Sequence, residues 1–371
     1  MQHVLSLRRK KIKEFLSWGD FQMRSKQLDL TAIKYIFGFL NCLLSLSCTQ
    51  QNFDLTPQGS NFVQSVKYNR QADVLIVMEA SGAMDQQRRY DAISSQIPAL
   101  VQVLNAANLD YHIAVTTMTP RFQDPQTQMT IGDGGQFISR GDGAPVILNS
   151  GLTGLSNILS NRLSFNTGDF LSPVNFGRLA VQNALSAPLI NGANSGFLRP
   201  NALLNVIFIS SKDDDVNNTS PIDLVSFLDK LRPPIATTGQ RSWLAHYVGV
   251  LSSSASDQCA SGQWNFRSPG LKFLDIVNAS GGTQSTICST DLTLAVQQVQ
   301  ARILEIVTAY YLDQKPNPAT IVVHAGGVLV PQDAANGWTY DDNIQSIVFH
   351  GKAIPPDGTP FHVDFTPASI K

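Results

Sequence analysis

The chain has 371 residues, of which 15% are charged, and a formal net charge of −1. That length holds one large domain and a small one with ample core, and the charged fraction lies well below the soluble average of about 25%. Basic residues gather at the start. Residues 1–47 carry eight Lys or Arg against three acids, which leaves 19 basic and 25 acidic residues in the remainder, a net of −6. A mildly acidic body has no electrostatic footprint for nucleic acid.

Tyr35 to Ser47 is an apolar run behind basic residues, ending at small residues and Cys48. A spanning helix needs roughly 20 apolar residues, so this shorter run reads as a signal-peptide core. Leu44-Ser45-Leu46-Ser47-Cys48 resembles the lipobox of bacterial lipoproteins, although Ser45 stands where Leu is usual. The resemblance implies cleavage before Cys48 and a lipid anchor on it, with Thr49 in the next position favouring the outer membrane. Residues 1–47 are therefore expected to be a lipoprotein signal, a cleaved secretory signal being the alternative, with Met23 a candidate start, and residues 48–70 a polar tether. Of the four cysteines, Cys42 leaves with the signal and Cys48 takes lipid. Cys259 and Cys288 remain. Outside the cytosol they read as a disulfide worth about 3–4 kcal/mol, the alternative being two free buried thiols.

From residue 73 onward, strand and helix signals alternate. Asp73 to Met78 is an apolar run suited to a strand buried on both faces. Residues 85–106 read as one helix with Asp85 as its N-cap and Ile93, Ile97, Leu100, Val101, Val103 and Leu104 on the apolar stripe. Tyr111 to Met118 is a strand, and Asp133-Gly134 and Asp142-Gly143 mark hairpin turns between 129 and 149. Asn175 to Ser186 is a helix with Leu179, Val181 and Leu185 facing inward. Then come a strand at Leu203–Ser210, a helix at Ile222–Leu231 stopped by Pro233-Pro234, and a strand at Trp243–Leu251. Helices at Pro269–Ala279 and Asp291–Val307 follow. Strands separated by helices imply a parallel sheet covered on both faces. After Thr308 the pattern switches to period two, with short strands at 321–324, 327–330, 347–349 and 361–365 between Gly/Pro turns, which predicts a small all-β module.

Three stretches, in this order, resemble a von Willebrand factor A (VWA) domain of the proteobacterial lipoprotein type. They are Ala72–Met84 as first strand and loop, Gly196–Asp214 as fourth strand and loop, and Gly281–Cys288 with the helix after it. The β module resembles one often appended to such domains, through Trp338-Thr339-Tyr340, Ile347-Val348-Phe349 and Pro355. The resemblance implies an α/β, Rossmann-like domain over 71–309, with a central, mostly parallel sheet flanked by helices, and a β-strand module over 310–371. It also implies a metal-ion-dependent adhesion site, in which a D-x-S-x-S loop, a Thr and an Asp from two further loops hold Mg²⁺.

Here the ligand set is degenerate. Glu79 replaces the first Asp, Ser81 is kept, and Ala83 replaces the second Ser. Ser211 occupies the third-loop Asp position with Lys212 beside it, and only Ser172 or Thr167 stands near the second-loop Thr. Mg²⁺ tolerates poor geometry badly, so no working Mg²⁺ site is expected, and a Glu79–Lys212 ion pair is the structural alternative. A looser Ca²⁺ cage would draw on Glu79, Ser81 and Asp213, with Asp214 or Asp215. The predicted recognition crevice is formed by residues 79–83, 167–175 and 210–215, with Glu79, Ser81, Ala83, Ser172, Ser211, Lys212 and Asp213 singled out. Arg140-Gly141-Asp142 spells an integrin-binding tripeptide but coincides with a predicted turn, where Gly and Asp are expected anyway. No nucleophile elbow, H-E-x-x-H helix or phosphate loop appears. The expected function is binding of another protein at the envelope, not catalysis, with a structural scaffold as the alternative.

Overall fold

Glycine and proline punctuation divides the chain into the elements below, seen in a computed structural model. It describes residues 70–368 except 124–129, 166–173, 218, 235–240, 255, 257, 262, 263, 265, 267, 313, 344, 357 and 358. The expected signal, the tether, Cys42, Cys48, Thr167 and Ser172 lie outside the described residues.

Strand β1 (Gln71–Met78) is followed by α1 (Gly82–Gln86), α2 (Arg89–Ser94) and α3 (Ile97–Ala106). The single helix expected over 85–106 is thus three segments. Arg88 takes a left-handed φ of 53° between the first two. Pro98 lies in the opening turn of α3, where its missing N–H does no harm, whereas inside one long helix it would break the ladder. Ser81, not Asp85, caps α1, its side chain accepting from Met84 N–H. Next come β2 (Asp110–Thr117), the two-residue strands β3 (Phe122–Gln123), β4 (Thr130–Ile131) and β5 (Leu148–Asn149), then α4 (Leu155–Arg162) and α5 (Gly177–Ala184). The rest of the α/β region is β6 (Leu203–Ser210), α6 (Pro221–Leu231), β7 (Trp243–Gly249), α7 (Gln258–Ser261), α8 (Leu271–Ser280), β8 (Gln284–Thr286) and α9 (Thr293–Val307).

These strands form one six-stranded sheet in the order β5-β2-β1-β6-β7-β8. All neighbours run parallel except β5, which lies antiparallel on the β2 edge. The chain moves outward from β1 to β2 and then returns to place β6 on the other side of β1. That order is doubly wound, with its topological switch point between β1 and β6. Alternation along the strands divides the core. Val74, Ile76, Ile207 and Ile209 pack with α3, α4 and α9, while Leu75, Val77, Val206 and Phe208 pack with α5, α6 and α8. Val103, expected on the apolar stripe, is 38% exposed, and Leu179 also departs from expectation. It is 37% exposed, and α5 faces the sheet through Gly177, Ala180, Val181 and Ala184 instead. The small residues let the helix come close, since a Cβ at Gly177 would press on the Phe273 ring and Met118 Sδ.

Beyond α9 lie β9 (Ala309–Tyr311), β10 (Val322–Ala325), β11 (Val328–Val330), β12 (Trp338–Asp341), β13 (Ser346–Phe349) and β14 (Phe361–Asp364). They make two three-stranded antiparallel sheets, β11-β10-β14 and β12-β13-β9, around a separate core of Trp338, Ile347, Phe349, Phe361, Val363 and neighbours. The expected all-β module is present, with β9 and β12 added to the strands that the alternation marked. Cys259 and Cys288 form the expected disulfide.

Candidate functional site

In an open α/β sheet, the crevice outside the strand C-termini at the switch point is where ligands bind. Here that crevice is made by the residues just past β1 and β6. Glu79 continues β1, its N–H donating to Ile209 O at 2.9 Å, and its side chain is 1% exposed. The carboxylate accepts from Ser81 Oγ at 2.5 Å, Ser210 Oγ at 2.8 Å, Ser211 N–H at 2.6 Å and Ser211 Oγ at 3.0 Å. A buried carboxylate is costly unless charge-assisted bonds satisfy it, and here hydroxyls and one backbone N–H do so.

Two tyrosines and an asparagine close the network. Tyr90 Oη accepts from Ser81 N–H at 2.9 Å and lies 2.9 Å from Glu79 O, to which it donates, pinning the 79–81 loop. Tyr247 Oη donates to Ser210 O and accepts from Val250 N–H. Burial pushes the Tyr247 hydroxyl far above its ordinary value, and the nearby charges of Glu79 and Asp213 push the same way. Gly249 and Gly270 pack on its ring so closely that a Cβ at either position would overlap it. Asn175 Nδ2 donates to Ser210 Oγ at 2.8 Å, while its buried Oδ1 has no hydrogen-bond partner among the described residues.

The remaining predicted site residues are brought to the same end but do different work. Lys212 Nζ pairs with Asp215 Oδ2 at 2.7 Å. The expected Glu79–Lys212 ion pair is not made, because the Glu79 carboxylate is buried among donors below while Lys212 reaches along its own loop. Asp213 Oδ1 accepts from Lys272 N–H at the start of α8, and Asp214 Oδ2 from Arg178 N–H at the start of α5. Asp215 Oδ2 also takes the N–H of Asn175. Each of the three carboxylates therefore anchors backbone, and desolvation raises the Asp213 carboxyl above its ordinary value. Among the described residues no group of three His, Cys, Asp or Glu gathers to hold a metal. Ala83 is exposed on α1 and takes no part in the network. Asn175 and Ser210 fall within the predicted crevice segments without having been singled out, while Tyr90 and Tyr247 lie outside them. Their partners stand up to 131 positions away in sequence, and only Ser210, a hydroxyl ending an apolar strand, carries a local signal.

Large apolar side chains are exposed at this end of the sheet. Leu179, Ile222, Leu271 and Leu294 are 37%, 61%, 57% and 66% exposed, and each lies in the first turn of its helix, α5, α6, α8 and α9 respectively. Helices of a doubly wound sheet start at the strand C-terminal end, so all four side chains stand on the crevice end. A cavity of about 80 Å³ opens between α5 and α6, lined by Arg178, Leu179, Val216, Ser220, Asp223 and Leu224 among others.

No family model matches the chain, and no curated protein matches it. Among solved structures, the pilus adhesin SpaC from Lactobacillus rhamnosus GG is 11% identical over 82% of this chain and 40% of that chain, with a TM-score of 0.37. Proximal thread matrix protein 1 from the mussel byssus is 13% identical over 64% of this chain and 46% of its own, with a TM-score of 0.35. The ArnB paralog VWA2 from Sulfolobus acidocaldarius is 8% identical over 83% and 59%, with a TM-score of 0.34. The chain thus spans less than half the length of the first two. At these identities and scores the fold assignment rests on this chain's own strand order.

Proposed function

We propose that the chain is a lipid-anchored cell-envelope module that binds another protein at the crevice end of its sheet, and that it does so without Mg²⁺. One observation carries the reading: the crevice floor is satisfied by the chain's own donors, while the same end of the sheet exposes Ile222, Leu271 and Leu294. Exposed apolar groups collected at one end mark interaction surfaces. The donor set does not fit Mg²⁺, which needs oxygen ligands in near-ideal octahedral geometry. Both Glu79 oxygens already accept hydrogen bonds, and Ser211 offers no carboxylate. The anchor is Cys48, on the strength of the lipobox resemblance.

The test is cross-linking mass spectrometry on intact cells, using Lys212 and Lys272 as reporters. The wild-type chain should cross-link to one partner through these lysines, and the Ile222→Glu/Leu271→Glu variant should lose those links while keeping its circular dichroism. Unchanged cross-links in the folded variant would sink the surface. Cys48→Ser should release the chain from membranes. Calorimetric binding of Mg²⁺ at millimolar concentration or better would overturn the metal-free reading.

A further inference from the structure

The outer face of the β11-β10-β14 sheet sets two imidazoles opposite each other. In the antiparallel pair β10/β14, His324 faces His362 and Val322 faces Asp364. The alternate positions Val323 and Val363 are 0% and 3% exposed and point into the module's core, so the histidines stand on the solvent side. Directly opposed residues in an antiparallel pair hold their Cβ atoms about 4.5–5.5 Å apart. From that spacing two imidazole rings can reach a common ion.

Two further features prepare the pair. His362 Nε2 lies 2.7 Å from Asp364 Oδ1, and both side chains remain about one-third exposed. A carboxylate holding one ring nitrogen is the usual outer partner of a metal-ligating histidine. It fixes the tautomer and leaves the other nitrogen, here Nδ1, with a free lone pair. His324 has no hydrogen-bond or ion-pair partner among the described residues, and its neighbour across β11 is Leu329, which is 60% exposed. The other described histidines are placed differently. His246 is buried, His350 holds Thr339 Oγ1 at 2.7 Å, and His112 lies beside Asp73.

We propose that His324 and His362 form a two-imidazole site for a late first-row divalent cation, with Asp364 as the positioning residue for His362. Imidazole ligands favour this class, and Cu²⁺ binds more tightly than Ni²⁺ or Zn²⁺ at a given nitrogen site. The protein supplies two nitrogens and water completes the shell, in keeping with the absence of a converged three-ligand cluster among the described residues. The site lies in the β module and does not depend on the crevice reading.

The test is Cu²⁺ titration of the tag-free full-length chain carrying H3A, which removes the amino-terminal Met1-Gln2-His3 copper chelate and serves as the reference for every variant, followed by calorimetry and electron paramagnetic resonance. The expected result is one Cu²⁺ with a two-nitrogen signature, lost in H324A and in H362A with at least a tenfold fall in affinity. H324Q and H362Q repeat the measurement with side chains closer in size to the native ones. D364N should weaken binding by about 10–100-fold and shift the hyperfine pattern while both nitrogens remain, a change that loss of a structural contact would not produce. H350A should bind as the reference does. Unchanged affinity, or a persistent two-nitrogen spectrum, in both His324 and His362 variants would overturn the site.

Discussion

Replacing Glu79 with Gln tests whether the crevice floor is held by charge. The side chain keeps its shape, but one carboxylate oxygen becomes an NH₂ group. Glu79 receives donors on both oxygens: Ser81 Oγ and Ser211 Oγ on Oε1, and Ser210 Oγ, Ser211 N–H and Ser211 Oγ on Oε2. The amide can still offer its one oxygen to the Ser211 N–H, which cannot turn away. The hydroxyls on the other side must then rotate to accept, although Ser81 Oγ already accepts from Met84 N–H. Hydrogen bonds to a charged group contribute about 1.5–3 kcal/mol and neutral ones about 0.5–1.5 kcal/mol, while a stranded buried group costs about 1–3 kcal/mol. Weakening two bonds and stranding one partner therefore gives a loss of about 3 kcal/mol, or roughly 6–12 °C in Tm for a domain of this size. Urea and thermal unfolding followed by circular dichroism measure it. Ser211→Ala, which keeps the N–H, should lose less. A Glu79→Gln variant within about 0.5 kcal/mol of wild type would refute the reasoning, since it would show that the donors converging on this carboxylate do not need its charge.

His246 is fully buried, takes Thr283 N–H on Nδ1 at 3.2 Å, and has its pKa pushed down to about 3 by desolvation, with the Arg302 charge adding to it. The unfolded chain protonates this ring near pH 6.5 and the folded chain does not, so stability falls as pH drops between 6.5 and 3, by about 1.4 kcal/mol per unit. His246→Gln should remove that slope, as seen by comparing urea midpoints across pH. A cavity of about 50 Å³ beneath α3 and α9 is lined by aliphatic side chains including Ile76, Ile207, Val248 and Val299. At about 24 cal/mol per Å³ it costs about 1.2 kcal/mol, and Val248→Ile should recover part of this as a higher urea midpoint at unchanged slope. Gly270→Ala should displace the Tyr247 ring and lower Tm, whereas Ala at Gly141, where a Cβ meets nothing within 4 Å, adds only the cost of its φ of 69°. Reducing Cys259–Cys288, a separation of 29 residues, should cost about 3–4 kcal/mol in denaturant melts.

The layout was already legible in the spacing of residues along the chain. Continuous apolar runs at Leu203–Ser210 and Trp243–Gly249 mark strands buried on both faces, and the change to period two after Thr308 marks the second core. Both signals depend on spacing along the chain, and local spacing survives folding unchanged. It also located the crevice, because the residues after β1 and β6 must meet wherever those strands pair. The partner of each polar group, by contrast, was set by long-range packing. Glu79 joins Ser210 and Ser211 and not Lys212, because the parallel β1/β6 register sets the strand ends side by side while Lys212 lies further along the loop, within reach of Asp215. Leu179 turns outward because the small face of Gly177, Ala180 and Ala184 lets α5 approach the sheet more closely than a leucine would. Periodicity shows which residues share a face. Which neighbour that face meets depends on contacts between residues far apart in the chain.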